Sequence, residues 1–200
     1  MEKGEKVSEF VNLKISLLQQ DSSWSKSMLA KLRRGIGKNP VEIPAVWEIT
    51  MDGLPDELQF KGRVENCSPT EAEWAIFTAL TLFSLHKQGD NKAIGSGKKG
   101  EGSSFGAAVR RLISLDGSNE VPIKRRFDSI ITSNDLSELS YHARGLIQLM
   151  RTSTMPIMID YPQFAKDLYY FQFKEGKNQV KLKWGQDFYF SNEKKNEKNQ

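Results

Sequence analysis

Lysines and arginines set side by side on predicted helices are the residues whose spacing suggests chemistry, and that chemistry is the neutralisation of phosphate. Three clusters stand out: Arg33 and Arg34 followed by Lys38, Arg110 with Arg111, and Lys124, Arg125 and Arg126. Cationic side chains bind phosphate oxygens through charge-assisted hydrogen bonds that read no base, so such clusters predict a sequence-independent nucleic-acid face. The last cluster lies in VPIKRRFDSII (121 to 131), where Pro122 suits a first helical turn and Ile123, Phe127 and Ile130 recur at helical spacing. Cations in the opening turns of a helix oppose its dipole at roughly 0.3–1 kcal/mol each, and Asp128 alone offers local relief. Either a phosphate at the N-terminal amides or acids on neighbouring helices must complete this arrangement. On a helical wheel Arg125 stands opposite the apolar stripe, towards an external anion. Arg126 falls on the flank, in reach of an internal pair with Asp160 or Asp167.

No comparable constellation points to catalysis. Cys67 is the single cysteine, and His86 and His142 are the only histidines, so neither an internal disulfide nor a zinc set is available. Asp160 and Asp167 stand seven residues apart, but helix capping and an ion pair explain them better than acid–base work. Gly95, Gly97 and Gly100 match GxGxxG, yet they follow a long apolar helix rather than a strand, and Lys98 is followed by Lys99 instead of Ser or Thr. That context excludes both a dinucleotide fingerprint and a Walker A loop. Lys98 and Lys99 could still clamp a phosphate backbone, although a plain surface loop is the simpler reading. The residues predict no enzymatic activity, no cofactor and no metal.

The elements that must position the cations are helical. Two hundred residues of 22.8 kDa, 38% hydrophobic and 27% charged, suit an ordinary globular core. The net charge of +4 is segregated: residues 24 to 38 carry five cations and no acid, whereas eight acids lie between Glu42 and Glu73. There is no apolar run of membrane-spanning length, and MEKGEKVSEF lacks the apolar stretch of a secretory signal, so the expected location is cytoplasmic. Apolar periodicity predicts helices over Val7 to Gln20, from Trp24 onward, and over Pro44 to Met51 burying Trp47. Others follow from Ser68 to about Lys87 and from Ser103 or Ser104. The last three run through the 121 to 131 stretch, from Asn134 to Thr152, and from Asp160 through Phe171. Ser68, Pro69 and Glu71 read as a capping box that opens the most apolar of these helices, and Asp52 to Cys67 is an acidic connector. Arg144 and Arg151 lie on one flank of the helix that ends at Thr152, open to nucleic acid or to a neighbouring acid. Val180 to Trp184 alternates like a short extended segment, docked by Trp184, Phe188, Tyr189 and Phe190.

The expected fold is therefore all-α: a compact multi-helix bundle with a short extended aromatic C-terminal segment. It forms a single domain over 1–190, with an N-terminal lobe of about 1–88 and a C-terminal lobe of about 103–190 joined by the Gly/Lys-rich loop 89–102, and 191–200 is a polar tail. Trp24, Trp47 and Trp74 fall on apolar stripes. This leaves no stacking platform and predicts binding that is mainly electrostatic.

Laid end to end, LRRGIGKNP (32 to 40) with Trp47, LTLFSLHKQG (80 to 89), SFGAAVRRL (104 to 112), KRRFDSII (124 to 131), LIQLM (146 to 150), IDYPQFAKDL (159 to 168) and KWGQDFY (183 to 189) resemble one family. It is the CasB small subunit of the type I-E CRISPR interference complex, Cascade. The resemblance implies an all-α bundle without enzymatic activity. It would be present as two copies beside the guide RNA, the large subunit and the backbone subunits, helping to hold the opened target DNA and its displaced non-target strand. By that resemblance Arg33, Arg34, Lys38, Arg110, Arg111, Lys124, Arg125 and Arg126 are the candidate strand contacts. The alternative is a structural assembly subunit whose basic faces meet acidic protein surfaces, such as the Glu42 to Glu73 stretch of a second copy.

Overall fold

The computed structural model describes residues 2–62, 68–89, 100 and 102–190. Among these residues the chain forms helices α1 (Lys3–Leu18), α2 (Ser23–Arg33), α3 (Trp47–Thr50), α4 (Glu71–His86), α5 (Phe105–Arg110), α6 (Glu120–Thr132), α7 (Leu136–Thr152), α8 (Tyr161–Phe171) and α9 (Lys174–Phe190). Two 3-10 turns, Pro40–Glu42 and Pro44–Val46, lead into α3. The all-α expectation holds.

α4 is apolar all round because it is covered all round. Every residue from Ala75 to His86 is buried, and α1, α2, α7 and α8 pack against it. The polar side chains this traps are satisfied locally: Thr81 Oγ1 donates to the Thr78 carbonyl at 3.0 Å, and Ser84 Oγ to the Thr81 carbonyl at 2.6 Å. His86 is a packed residue, its Nδ1 lying 3.1 Å from the Tyr161 hydroxyl.

The capping box that opens α4 sits two residues later than the sequence suggests, with Thr70 rather than Ser68 as the N-cap. Thr70 Oγ1 accepts from the Glu73 amide at 3.1 Å, and Glu73 Oε2 accepts from the Thr70 amide at 2.7 Å. Tertiary contacts decide between the two candidates. The Thr70 hydroxyl also donates to the Leu58 carbonyl at 2.7 Å, and Glu73 Oε1 accepts from the Phe60 amide at 3.2 Å, so this box also ties the acidic connector to the core. Replacing Thr70 by valine keeps the shape and removes both bonds. Chemical denaturation should register a loss of about 1–2 kcal/mol.

The predicted extended segment near the C-terminus is instead part of helix α9. Gly176, Val180, Trp184 and Phe188 repeat every four residues and are buried, whereas Leu182, which gave the segment its apparent alternation, is 64% exposed. α9 packs on α5 and α8. Trp184 enters an aromatic cluster, with its ring centroid 5.0 Å from Phe105 and 5.7 Å from Phe164. Its indole Nε1 donates to Asp167 Oδ2 at 2.8 Å, while Gln163 Nε2 (2.7 Å) and Lys183 Nζ (3.4 Å) approach Oδ1. Burial raises the pKa of Asp167, and Lys183, Trp184 and Gln163 pull against that shift. Asp160 is the N-cap of α8, accepting from the Gln163 amide at 2.9 Å and the Gly100 amide at 2.7 Å. Both aspartates are thus engaged in building the bundle.

Candidate nucleic-acid interface

α6 begins at Glu120, ahead of Pro122, and that start changes the electrostatics of its cations. Glu120 supplies an acid in the first turn and accepts an ion pair from Arg110 at 3.3 Å. Lys124, Arg125 and Arg126 consequently lie beyond that turn, where the dipole effect has largely fallen off, so the N-terminal amides give no argument for a bound phosphate. Ile123, Phe127 and Ile130 form the buried stripe, and the Phe127 ring stacks on Phe188 of α9 at 4.4 Å. Arg125 is exposed on the opposite side. Arg126 is exposed too and pairs with neither Asp160 nor Asp167, both of which are held by other partners.

Arg126 instead lines a groove of about 470 Å³ between α6 and α7, and Arg144 of α7 lines it with Arg126. Further along α7, on the same flank, Arg151 donates to Gln88 Oε1 at 2.7 Å. It lies close enough to Arg33 of α2 to act on that group's titration: burial first, and then the Arg151 charge, lower the Arg33 pKa. Arg33 Nη1 donates to the Ser84 carbonyl at 3.3 Å, in the last turn of α4, where the helix end carries partial negative charge. Seven residues of helix rise about 10 Å, so Arg144 links the groove to the Arg33–Arg151 pair. Three helices therefore carry one path of arginines: Arg126 on α6, Arg144 and Arg151 on α7, and Arg33 on α2.

The other candidates divide. Arg110 and Lys124 gather at the C-terminal end of α9, the first 5.9 Å from the Phe188 centroid and the second 5.5 Å from that of Tyr189. Arg34 and Arg111 are exposed, and exposed Lys38 edges a crevice shared with Trp74 and Ser137. Among the described residues, no ion pair engages Arg34, Lys38, Arg111, Lys124, Arg125, Arg126, Arg144 or Arg151. Lys98 and Lys99, most of the glycine-rich loop, Cys67 and the tail 191–200 lie outside the described residues.

Two expectations need correction: that Trp47 is buried, and that the aromatic residues leave no exposed ring for stacking. Tyr141 on α7 is 73% exposed beside the groove, Tyr189 and Phe190 are 51% and 54% exposed, and Trp24 and Trp47 are each 39% exposed. Trp24 Nε1 donates to Glu48 Oε1 and Trp47 Nε1 to the Pro40 carbonyl, so their rings sit at the margin with the polar edge bonded. Tyr141 has a sequence signal: the stripe Leu136, Leu139, Ala143, Leu146, Ile147, Met150 leaves position 141 on the outer face.

Residues 28–189 match the model of the CRISPR-associated protein Cse2. The chain belongs to the Cse2 family. The crystal structure of CasB from Thermobifida fusca superposes with a TM-score of 0.71 at 26% identity, covering 92% of this chain and 97% of that one. No curated protein sequence matches significantly. Cse2 proteins are the CasB subunits of the type I-E Cascade complex of CRISPR defence, and they serve there as structural components. Among the described residues, no helix is long and apolar enough to cross a membrane, and no group of His, Cys, Asp and Glu side chains has the makings of a metal site.

Proposed function

We propose that this Cse2 family chain is a non-enzymatic subunit of Cascade that binds nucleic acid through its basic surface and stabilises the opened target DNA, especially the displaced non-target strand. The observation that carries this reading is the run Arg33, Arg151, Arg144 and Arg126 across three helices, with no carboxylate bound to any of the four among the described residues. Among the described residues, Arg33 and Arg151 make only single hydrogen bonds to neutral partners, Ser84 and Gln88, and so keep their charge uncompensated, whereas Arg110 is neutralised by Glu120. Phosphate contacts of this kind are blind to sequence, which suits a protein that holds whatever strand the guide RNA displaces. The partners are the guide RNA and target DNA within the complex, the large and backbone subunits and a second copy of the chain, and the setting is the cytoplasm.

Neutralising Arg144 and Arg151 together, as Arg144→Gln and Arg151→Gln, tests the path. Retention of target DNA by the assembled complex should weaken for every sequence, and the slope of log affinity against log salt should flatten by roughly 1.4–1.8. Copurification with the other subunits should be unchanged. A double variant that fails to copurify would instead assign these arginines to acidic protein partners and make the chain an assembly subunit.

A further inference from the structure

We infer that the groove between α6 and α7 seats one unstacked base of a single DNA strand, with Tyr141 as the stacking face and Arg126 and Arg144 on the flanking phosphates. This rests on the strand-holding function above and adds a base-contacting element to it. The groove measures about 470 Å³, the scale of a small-ligand site, and is lined by Arg126 and Ser129 from α6 and by Tyr141, His142, Arg144, Gly145 and Gln148 from α7. Two guanidinium groups without ion pairs favour an anion, and an exposed ring lining the same groove favours a planar, apolar-faced group. An unpaired nucleotide combines the two properties. A duplex does not, because its bases are already stacked on each other.

The Tyr141 ring has an aromatic neighbour in the groove lining. The His142 ring meets it edge-on, with centroids 5.4 Å apart at 75°, and His142 Nε2 lies 4.0 Å from Glu138 Oε1. Glu138 is itself fixed at the start of α7, where its Oε2 accepts from the Asn134 amide at 2.8 Å. An exposed aromatic held on a rigid helix loses little freedom when a base stacks on it.

Gly145 supplies an independent observation. It lies inside α7, where glycine weakens a helix relative to alanine, yet a Cβ built there meets nothing within 4 Å and its φ is not positive. Neither close packing nor backbone conformation requires a glycine here. The missing side chain leaves the groove open beside Tyr141.

The test uses the full chain and an oligo(dT) strand carrying one 2-aminopurine, whose fluorescence is quenched when the base stacks. Tyr141→Phe should bind and quench as the native chain does. Tyr141→Ala should lose the quenching and roughly tenfold in affinity, with an unchanged salt slope. Gly145→Leu should block the groove in the same way while its melting temperature stays level or rises, which separates binding from folding. The same sequence as a duplex should show no stacking signal. Native quenching and affinity in both Tyr141→Ala and Gly145→Leu, with binding still weakened in the Arg126→Gln and Arg144→Gln double variant, would overturn the base seat and leave strand holding intact. No effect of the arginine pair either, or no binding by the native chain at low salt, would overturn both.

Discussion

Reversing two charges at once, Arg126→Glu with Arg144→Glu, is expected to loosen target-DNA retention more than any other surface change in this protein. Each phosphate contact that releases a counterion is worth about 0.7–0.9 decades of affinity per decade of salt. At about 0.1 M salt, against a 1 M reference, losing two contacts therefore costs roughly 25- to 60-fold. Two glutamates facing the same strand add repulsion, so this range is a lower bound. The fold should hardly notice: both arginines are exposed and unpaired, and surface changes of this kind usually stay within about 0.5 kcal/mol. Arg110→Glu is the informative contrast. Arg110 is half-buried, pairs with Glu120 at 3.3 Å and lies over the Phe188 ring, so its reversal should set two acids against each other and lower stability while changing retention less. Retention measured across a salt series, together with a melting temperature for each variant, decides the matter. Equal losses of retention from both variants would remove the distinction between the arginine path and the α9 end of the molecule.

The sequence carries the helices more plainly than it carries the site. The stripe Ile123, Phe127, Ile130 predicts one buried face because hydrophobic burial imposes a 3.6-residue period, whereas the run from Trp74 to Leu85, apolar on every side, predicts a helix covered all round, and both are found so. α9 was obscured by one residue, since exposed Leu182 fell beside Val180 and Trp184 in a way that imitates a strand. Partner choice is harder, because it depends on which helices become neighbours. The expected pairing of Arg126 with Asp160 or Asp167 fails since Asp160 caps α8 and Asp167 receives Trp184, Gln163 and Lys183, all from α8 and α9. The chain also shows that Arg144 and Arg151 share a flank, but that Arg33 comes beside Arg151 follows from α2 and α7 both packing on α4. Tyr141 was legible by position on the wheel, though the groove at its side depends on α6 lying against α7.

Placing a side chain at Gly106 should be among the most damaging changes available to the fold. A Cβ there would lie 2.1 Å from the Trp184 carbonyl oxygen, 2.8 Å from its carbonyl carbon and 3.0 Å from its Cα. These are backbone atoms of α9 and cannot swing aside, so α5 and α9 would have to separate. The separation would open the contacts Trp184 makes with Phe105 and Phe164 and strain its bond to Asp167, at the most densely aromatic part of the core. A gap of half to one ångström already forfeits a quarter to a half of a van der Waals contact, and that loss is multiplied over every atom pair in the cluster. Gly106→Ala should cost about 1–3 kcal/mol and Gly106→Val more, which for a chain of this length lowers the melting temperature by about 2–4 °C per kcal/mol. The control lies next to Trp184 itself. Gly185 is in α9, and a Cβ there meets nothing within 4 Å, so Gly185→Ala should gain the roughly 0.5–1 kcal/mol that alanine holds over glycine in a helix. Opposite signs from two glycine-to-alanine changes on facing helices would locate the close approach of α5 and α9. A stabilising Gly106→Ala would mean that the two helices are not held together as the Trp184 cluster requires.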